Sequence, residues 1–213
     1  MTIGIIGPGK VGTAIARCAV EAGGATYVCG SPGREQELEL ILSIAAPGAH
    51  ACSLETLVEA AEIVVLSLPF RKSAMLPNTL LAGKIIIDLM NYWPPTDGLI
   101  EEIANDPRGT SEIVADHIPE ARIVKTLNHL GYHELEDDAL PAGSPGRRAL
   151  GVASNDHLAT VTVCELVDRL GFDPVDVGAL RNGTGLQPGT PIFGRRLTRD
   201  EFENTLRGAT SIS

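Results

Sequence analysis

The chain has 213 residues and a formal net charge of −10, with 44% hydrophobic and 21% charged residues and no basic run. That balance speaks against nucleic acid as a partner, and no apolar run approaches the ~20 residues a membrane helix needs. Cys18, Cys29, Cys52 and Cys164 show no C-x-x-C spacing, so they read as free thiols, with neither a disulfide frame nor a metal site. The N-terminus lacks a charged-then-apolar leader, and a cytoplasmic location is expected.

Residues 3–6 form a short apolar run bounded by glycine, which predicts a strand buried on both faces. Gly7, Gly9 and Gly12 follow as G-x-G-x-x-G. In that motif the first glycine makes a tight turn and the second lets backbone approach a pyrophosphate. The third lets the next helix lie close on the sheet. Val11, Ile15, Ala16 and Ala19 then recur at helical spacing, so a helix starts here with its free N–H groups aimed at the glycines. Gly7, Pro8, Gly9, Lys10, Val11 and Gly12 are therefore candidate dinucleotide-binding residues.

Ala25–Cys29 reads as the second strand, entered through the Gly23-Gly24 turn. An acid at the end of this strand holds the ribose hydroxyls of NAD in such folds. Here the place holds Gly30-Ser31-Pro32-Gly33-Arg34, and no acid appears before Glu35. A hydroxyl and a guanidinium suit a 2′-phosphate, so Ser31 and Arg34 point to NADP. The alternative is a solvated loop that grips nothing.

A helix through Leu38, Ile41, Leu42 and Ala45 is predicted next, then a short strand at Ala49–Cys52 and a small helix N-capped by Ser53. Ile63–Leu68 is a buried strand ended by Pro69, and Leu68 and Pro69 are expected to line the cofactor at its carboxyl end. Pro69 alone is equally well read as a simple strand stop. Lys84–Leu89 is the fifth strand, followed by Asn91, a candidate for the nicotinamide carboxamide or ribose. Asp88 is open between that region and a strand-end cap. After a loop-rich stretch come a helix from Thr110 to His117 and a sixth strand at Arg122–Leu127. Asn128, in the loop beyond it, joins the cofactor-binding set.

Residues 134–148 are acidic and then rich in Pro, Gly and Ala, which predicts a mobile surface loop. Ala149–Ser154 is a strand, and Asp156–Leu170 a helix with Val161, Leu166, Val167 and Leu170 on its apolar face. Asp173–Val177 is the last strand, and a helix capped at Thr198 closes the pattern. Strand–helix alternation predicts an α/β, Rossmann-like doubly wound, mostly parallel sheet extended by C-terminal strands. Residues 1–213 are read as one unit: 1–130 a dinucleotide-binding core, 131–213 a sheet extension and acceptor or dimer segment.

These residues together resemble the F-420-dependent NADP reductases, which pass a hydride between NADP(H) and a deazaflavin coenzyme. The resemblance runs through Ile5-Ile6-Gly7-Pro8-Gly9-Lys10-Val11-Gly12, Gly30-Ser31, Leu66-Ser67-Leu68-Pro69 and Asp88-Leu89-Met90-Asn91. It continues in Val124-Lys125-Thr126-Leu127-Asn128 and Leu170-Gly171-Phe172-Asp173-Pro174. It implies NADP(H) as cofactor, a small-molecule redox acceptor such as coenzyme F-420 or a flavin, and a homodimer. Where that family has arginine directly after the serine, this chain has Pro32, which leaves Arg34 alone for the 2′-phosphate.

Tyr27, Tyr92 and Tyr132 each lack a lysine four residues on, which speaks against a short-chain dehydrogenase mechanism. Hydride exchange between two rings needs mainly proximity. His129 and His133 are expected at the cleft; His129 is the catalytic candidate, and the alternative is a ring that only bonds loop backbone. The other functional class is a non-catalytic NADP-binding redox sensor. Leu186, Ile192 and Phe193, among prolines and glycines, predict an apolar strip hidden across a dimer axis or folded back on the chain's own sheet.

Overall fold

In the computed structural model residues 1–210 are described. The strands are β1 (Thr2–Ile6), β2 (Ala25–Cys29), β3 (Ala49–Ala51), β4 (Ile63–Leu66), β5 (Ile85–Asp88), β6 (Arg122–Lys125), β7 (Ala149–Ser154) and β8 (Asp173–Gly178). The longer helices are α1 (Lys10–Glu21), α2 (Glu35–Ala45) and α3 (Leu54–Ala60). Single turns follow as α4 (Asn78–Leu81), α5 (Pro94–Asp97) and α6 (Glu101–Ala104). Next come α7 (Thr110–His117), the turn α8 (Glu134–Asp137), α9 (His157–Arg169) and α10 (Arg199–Thr210). Two 3-10 segments, Phe70–Met75 and Leu180–Leu186, complete the chain.

All eight strands form one sheet in the order β3-β2-β1-β4-β5-β6-β7-β8. Every neighbouring pair is parallel except β6 and β7, which run antiparallel. This is the Rossmann-like, mostly parallel architecture. The central strands β4 and β5 are buried on both faces, as continuous apolar runs require. On one face Ile15, Leu42 and Val163 bring α1, α2 and α9 into a single core with Ile5 and Val65. On the other, Leu57 of α3 and Val114 of α7 pack with Val64 and Ile86. Each such buried aliphatic side chain contributes roughly 1.5–3 kcal/mol relative to exposure. Ser53 caps α3 as expected, its hydroxyl accepting from Thr56 N at 3.2 Å.

Two expectations need correction. Val161 is not on the buried face of α9; it is 43% exposed, and Ala159, Thr160 and Val163 face the sheet instead. Residues 134–148 are not a loose loop. Arg148 is wholly buried, with Nη1 2.7 Å from Asp138 and 2.9 Å from Glu134, while Arg147 pairs with Asp168 at 2.6 Å and Asp173 at 3.0 Å. Arg147 ties the segment to α9 and β8, and Arg148 clamps the segment's two ends together. The tail takes the second of its two expected courses and folds back on its own chain. Leu186 and Ile192 are buried with Ala149 of β7, Val175 of β8, Leu197 and Phe202 of α10, while Phe193 stays half-buried. Of the predicted segment 131–213, residues 211–213 lie outside the described residues.

Candidate active site

The turn after β1 is built by steric exclusion. Gly7 has φ +111°, and a Cβ there would lie 2.3 Å from the Ser67 carbonyl oxygen. A Cβ on Gly12 would lie 2.0 Å from the Gly7 oxygen, so α1 can seat this close only with glycine. Gly9 differs: nothing stands within 4 Å of the Cβ position, leaving backbone open to a ligand. Gly9 is also the N-cap of α1 and carries no side-chain cap, so the first-turn N–H donors stay available. An open glycine before uncapped donors and the positive end of a helix dipole fits a pyrophosphate.

Ser31 and Arg34 lie at the end of β2, both exposed. Pro8 borders this region, 3.2 Å from a Cβ built on Gly30. The Arg34 guanidinium pairs with Glu37, and Gly33 N donates to Glu35 at 3.0 Å. The Arg34 guanidinium is thus engaged by one acid, Glu37, and neither Ser31 nor Arg34 is among the residues lining the hollows described next.

At the carboxyl ends of the central strands lies a cleft of about 530 Å³. It brings together Gly9, Lys10, Val11, Leu68, Pro69 and Asn91 of the predicted set, and adds Met90 and Tyr132. A neighbouring hollow of about 360 Å³ runs along Pro8, Lys10, Thr13 and Arg17 and shares Tyr132. The Lys10 ammonium sits 5.6 Å from the Tyr132 ring centre.

Asn91 and Asn128 pair with each other. Asn91 Nδ2 donates to the Asn128 carbonyl at 2.7 Å, and Asn128 Nδ2 donates to Asn91 Oδ1 at 3.0 Å and to the Leu186 carbonyl at 2.7 Å. Each amide keeps a free donor or acceptor, because NH₂ carries two hydrogens and the oxygen two lone pairs. Asn128 is buried and reached through Asn91; it follows Leu127, whose φ of +59° costs energy for a branched residue.

His129 does not face the cleft, which corrects its candidacy as a catalyst. It is 1% exposed and lies beside Phe202, with ring centres 6.3 Å apart. Its Nε2 accepts from Gly151 N at 3.2 Å, so Nδ1 carries the proton toward Asn128 Oδ1, also at 3.2 Å. Burial, reinforced by the Arg148 and Lys125 charges, drives its pKa down to about 3. The ring is neutral and both nitrogens are engaged. His133 is exposed and stacks on Tyr132.

Asp88 proves to be more than a strand-end cap. It is fully buried and accepts from Met90 N at 2.9 Å and Ser111 Oγ at 2.6 Å. Lys125 lies in register with it on β6, its Nζ 3.4 Å from Asp88 Oδ2. Sequence reasoning missed this pair, because neither residue is near the other in the chain. It also missed Asp97, which holds Arg71 N and Trp93 N and so knots the loop beyond Asn91. Burial pushes the Cys18 thiol up to about 11 and Cys29 up to about 12, so neither is a thiolate at neutral pH. Among the described residues no three metal-ligating side chains converge, and no helix is long and apolar enough to cross a membrane.

Residues 2–92 match the protein family described as NADP oxidoreductase, coenzyme F420-dependent. Over 182 residues the chain is 28% identical to metalloreductase STEAP3 of Rattus norvegicus, covering 84% of this chain and 34% of that protein. The chain spans less than half the length of the curated relatives it matches. A hypothetical protein of Sinorhizobium meliloti superposes with a TM-score of 0.79 at 28% identity, covering 94% of this chain and 96% of that one. A candidate F420-dependent NADP reductase of Arthrobacter sp. FB24 superposes with a TM-score of 0.73 at 25% identity, covering 93% and 100%.

Proposed function

We propose that this chain, whose residues 2–92 match the family described as NADP oxidoreductase, coenzyme F420-dependent, reduces a second ring cofactor, coenzyme F-420 or a flavin, with NADPH. The observation that carries this reading is the open cleft of about 530 Å³ that joins the Gly9 turn to Asn91. When bound, NADPH supplies a hydride from its nicotinamide ring to the acceptor. The chain's own part is to hold and orient. Gly9 and the α1 donors receive the pyrophosphate, Ser31 and Arg34 the 2′-phosphate, and Leu68, Pro69, Asn91 and, behind it, Asn128 the nicotinamide end.

Lys10 and Tyr132 are the titratable side chains lining the cleft, and no acid–base dyad stands there. An acceptor that takes a hydride on a ring, with the two rings pressed together, suits such a wall. In this reading residues 1–130 carry the dinucleotide and residues 131–213 shape the acceptor side. A redox sensor would want a side chain filling the nicotinamide face, and the cleft is open there. The homodimer in this reading is the one the resemblance implies; a monomeric mass by light scattering refutes it.

Ser31 and Arg34 give NADPH at least about tenfold tighter binding than NADH, and Arg34→Ala removes most of that difference. Glu37→Gln, which frees the guanidinium, widens it. Equal affinities of the two dinucleotides for the unaltered protein would refute the 2′-phosphate assignment. The reaction itself is tested by following NADPH oxidation with F-420, FMN, ferric chelates and quinones. Turnover with F-420 or FMN is expected; tight NADPH binding with no oxidation by any of the four would favour the sensor.

A further inference from the structure

The floor of the cleft beside Asn91 is set by the backbone of one residue, Met90, through the two peptide groups that flank it. Its N–H donates to Asp88 Oδ1 at 2.9 Å, and its carbonyl accepts from Lys125 Nζ. Both gripping side chains are buried, Asp88 completely and Lys125 with 1% exposure. Their partners are fully used. The three ammonium hydrogens meet the Met90 carbonyl, Asp88 Oδ2 at 3.4 Å and Thr110 Oγ1 at 3.5 Å. Asp88 Oδ2 also accepts from Ser111 Oγ at 2.6 Å.

A buried ion pair is weak evidence for stability, because desolvating two charges offsets their attraction and apolar replacements often do as well. Desolvation pulls the Lys125 pKa below the ordinary lysine range, with Asp88 acting against it. What the pair supplies that two apolar residues would not is direction. It fixes both polar ends of Met90, and the next residue, Asn91, lines the cleft with its amide half-engaged by Asn128.

We infer that Asp88 and Lys125 are positioning residues for the nicotinamide end of the cleft: they orient the Met90–Asn91 wall to receive a pyridine carboxamide. The inference rests on the NADP reading above. The network extends outward as well, since Gln187 Oε1 accepts from Thr110 N at 2.9 Å and Thr110 Oγ1 at 2.7 Å. The tail is thereby linked to the same wall.

The test compares two ligands by calorimetry: NADP⁺, and 2′-phospho-ADP-ribose, which is the same molecule without nicotinamide. The wild type should bind NADP⁺ more tightly than the fragment. The double variant Asp88→Asn, Lys125→Met keeps an acceptor for Met90 N–H but loses the grip on its carbonyl. It should bind the fragment within about twofold of wild type and NADP⁺ about tenfold more weakly, the scale of one or two hydrogen bonds. Asn91→Ala, which leaves the buried pair intact, should lose the same NADP⁺ advantage and covers the case in which the double variant fails to fold. Either variant folded with the full NADP⁺ advantage overturns the inference, as does equal weakening of both ligands. Wild-type protein that binds neither ligand overturns the NADP reading itself, and the inference with it.

Discussion

A methyl group on Gly9 would meet no protein atom within 4 Å, whereas one on Gly12 would strike the Gly7 carbonyl at 2.0 Å. The two glycines therefore fail differently. Gly9→Ala should cost about 1 kcal/mol or less, the usual price of alanine at an N-cap, yet weaken NADP⁺ binding more than about tenfold because the methyl occupies the ligand's side. Gly12→Ala should destabilise the whole fold. Urea unfolding paired with NADP⁺ titration separates the two outcomes. His129 makes a pH prediction with a definite sign. Its folded pKa of about 3 lies below the unfolded value, so below pH ~6.5 the unfolded chain binds a proton that the folded chain refuses. Its contribution is complete above that pH and is lost as pH falls toward 3, at about 1.4 kcal/mol per unit. Unfolding free energies between pH 4 and 7 should fall less steeply in His129→Gln than in wild type; identical slopes would contradict the buried neutral ring.

Elements differ in how far the sequence discloses them. Strands β1, β4 and β5 are legible because short Ile- and Val-rich runs between turn residues are too brief for a helix and suit a buried strand, and Gly7, Gly9 and Gly12 mark the expected ligand end. The segment 134–148 is illegible for the opposite reason. Its acids look solvated until β7 places Arg148 against Asp138, ten residues back in the chain. The Asp88–Lys125 pair, 37 residues apart, exists only through the register of β5 on β6. Val161 misleads because a Val at the edge of a helical stripe is counted as core by type, while α9 presents the smaller Ala159 and Thr160 to the sheet. If Arg148 is what anchors 134–148, Arg148→Ala should cost on the order of 3 kcal/mol, as removing one member of a buried ion cluster does. Trypsin and V8 protease should then cut within that segment, which the intact protein resists. Equal cleavage rates in the two proteins would show that the ion cluster does not hold it.

At the scale of the molecule, the antiparallel pairing of β6 with β7 turns the chain back so that β7 starts near the carboxyl edge where the cleft lies. The tail after β8 then reaches the same edge, touching Asn128 through Leu186 and Thr110 through Gln187. The sheet has two margins, and both are poor templates. β3 offers three residues, and β8 carries Asp173, Pro174 and Asp176 with a register shift opposite Val152 and Ala153. Proline has no N–H to give a visiting strand, and short or charged margins discourage one from docking. A chain with a 44% hydrophobic composition and several Ile- and Val-rich strands is thereby guarded against templated fibre growth from its folded state. Prolonged incubation of the native protein should leave thioflavin T dark, while Pro174→Val with Asp176→Val, which restores an unbroken β-branched margin, should shorten the lag before fluorescence appears.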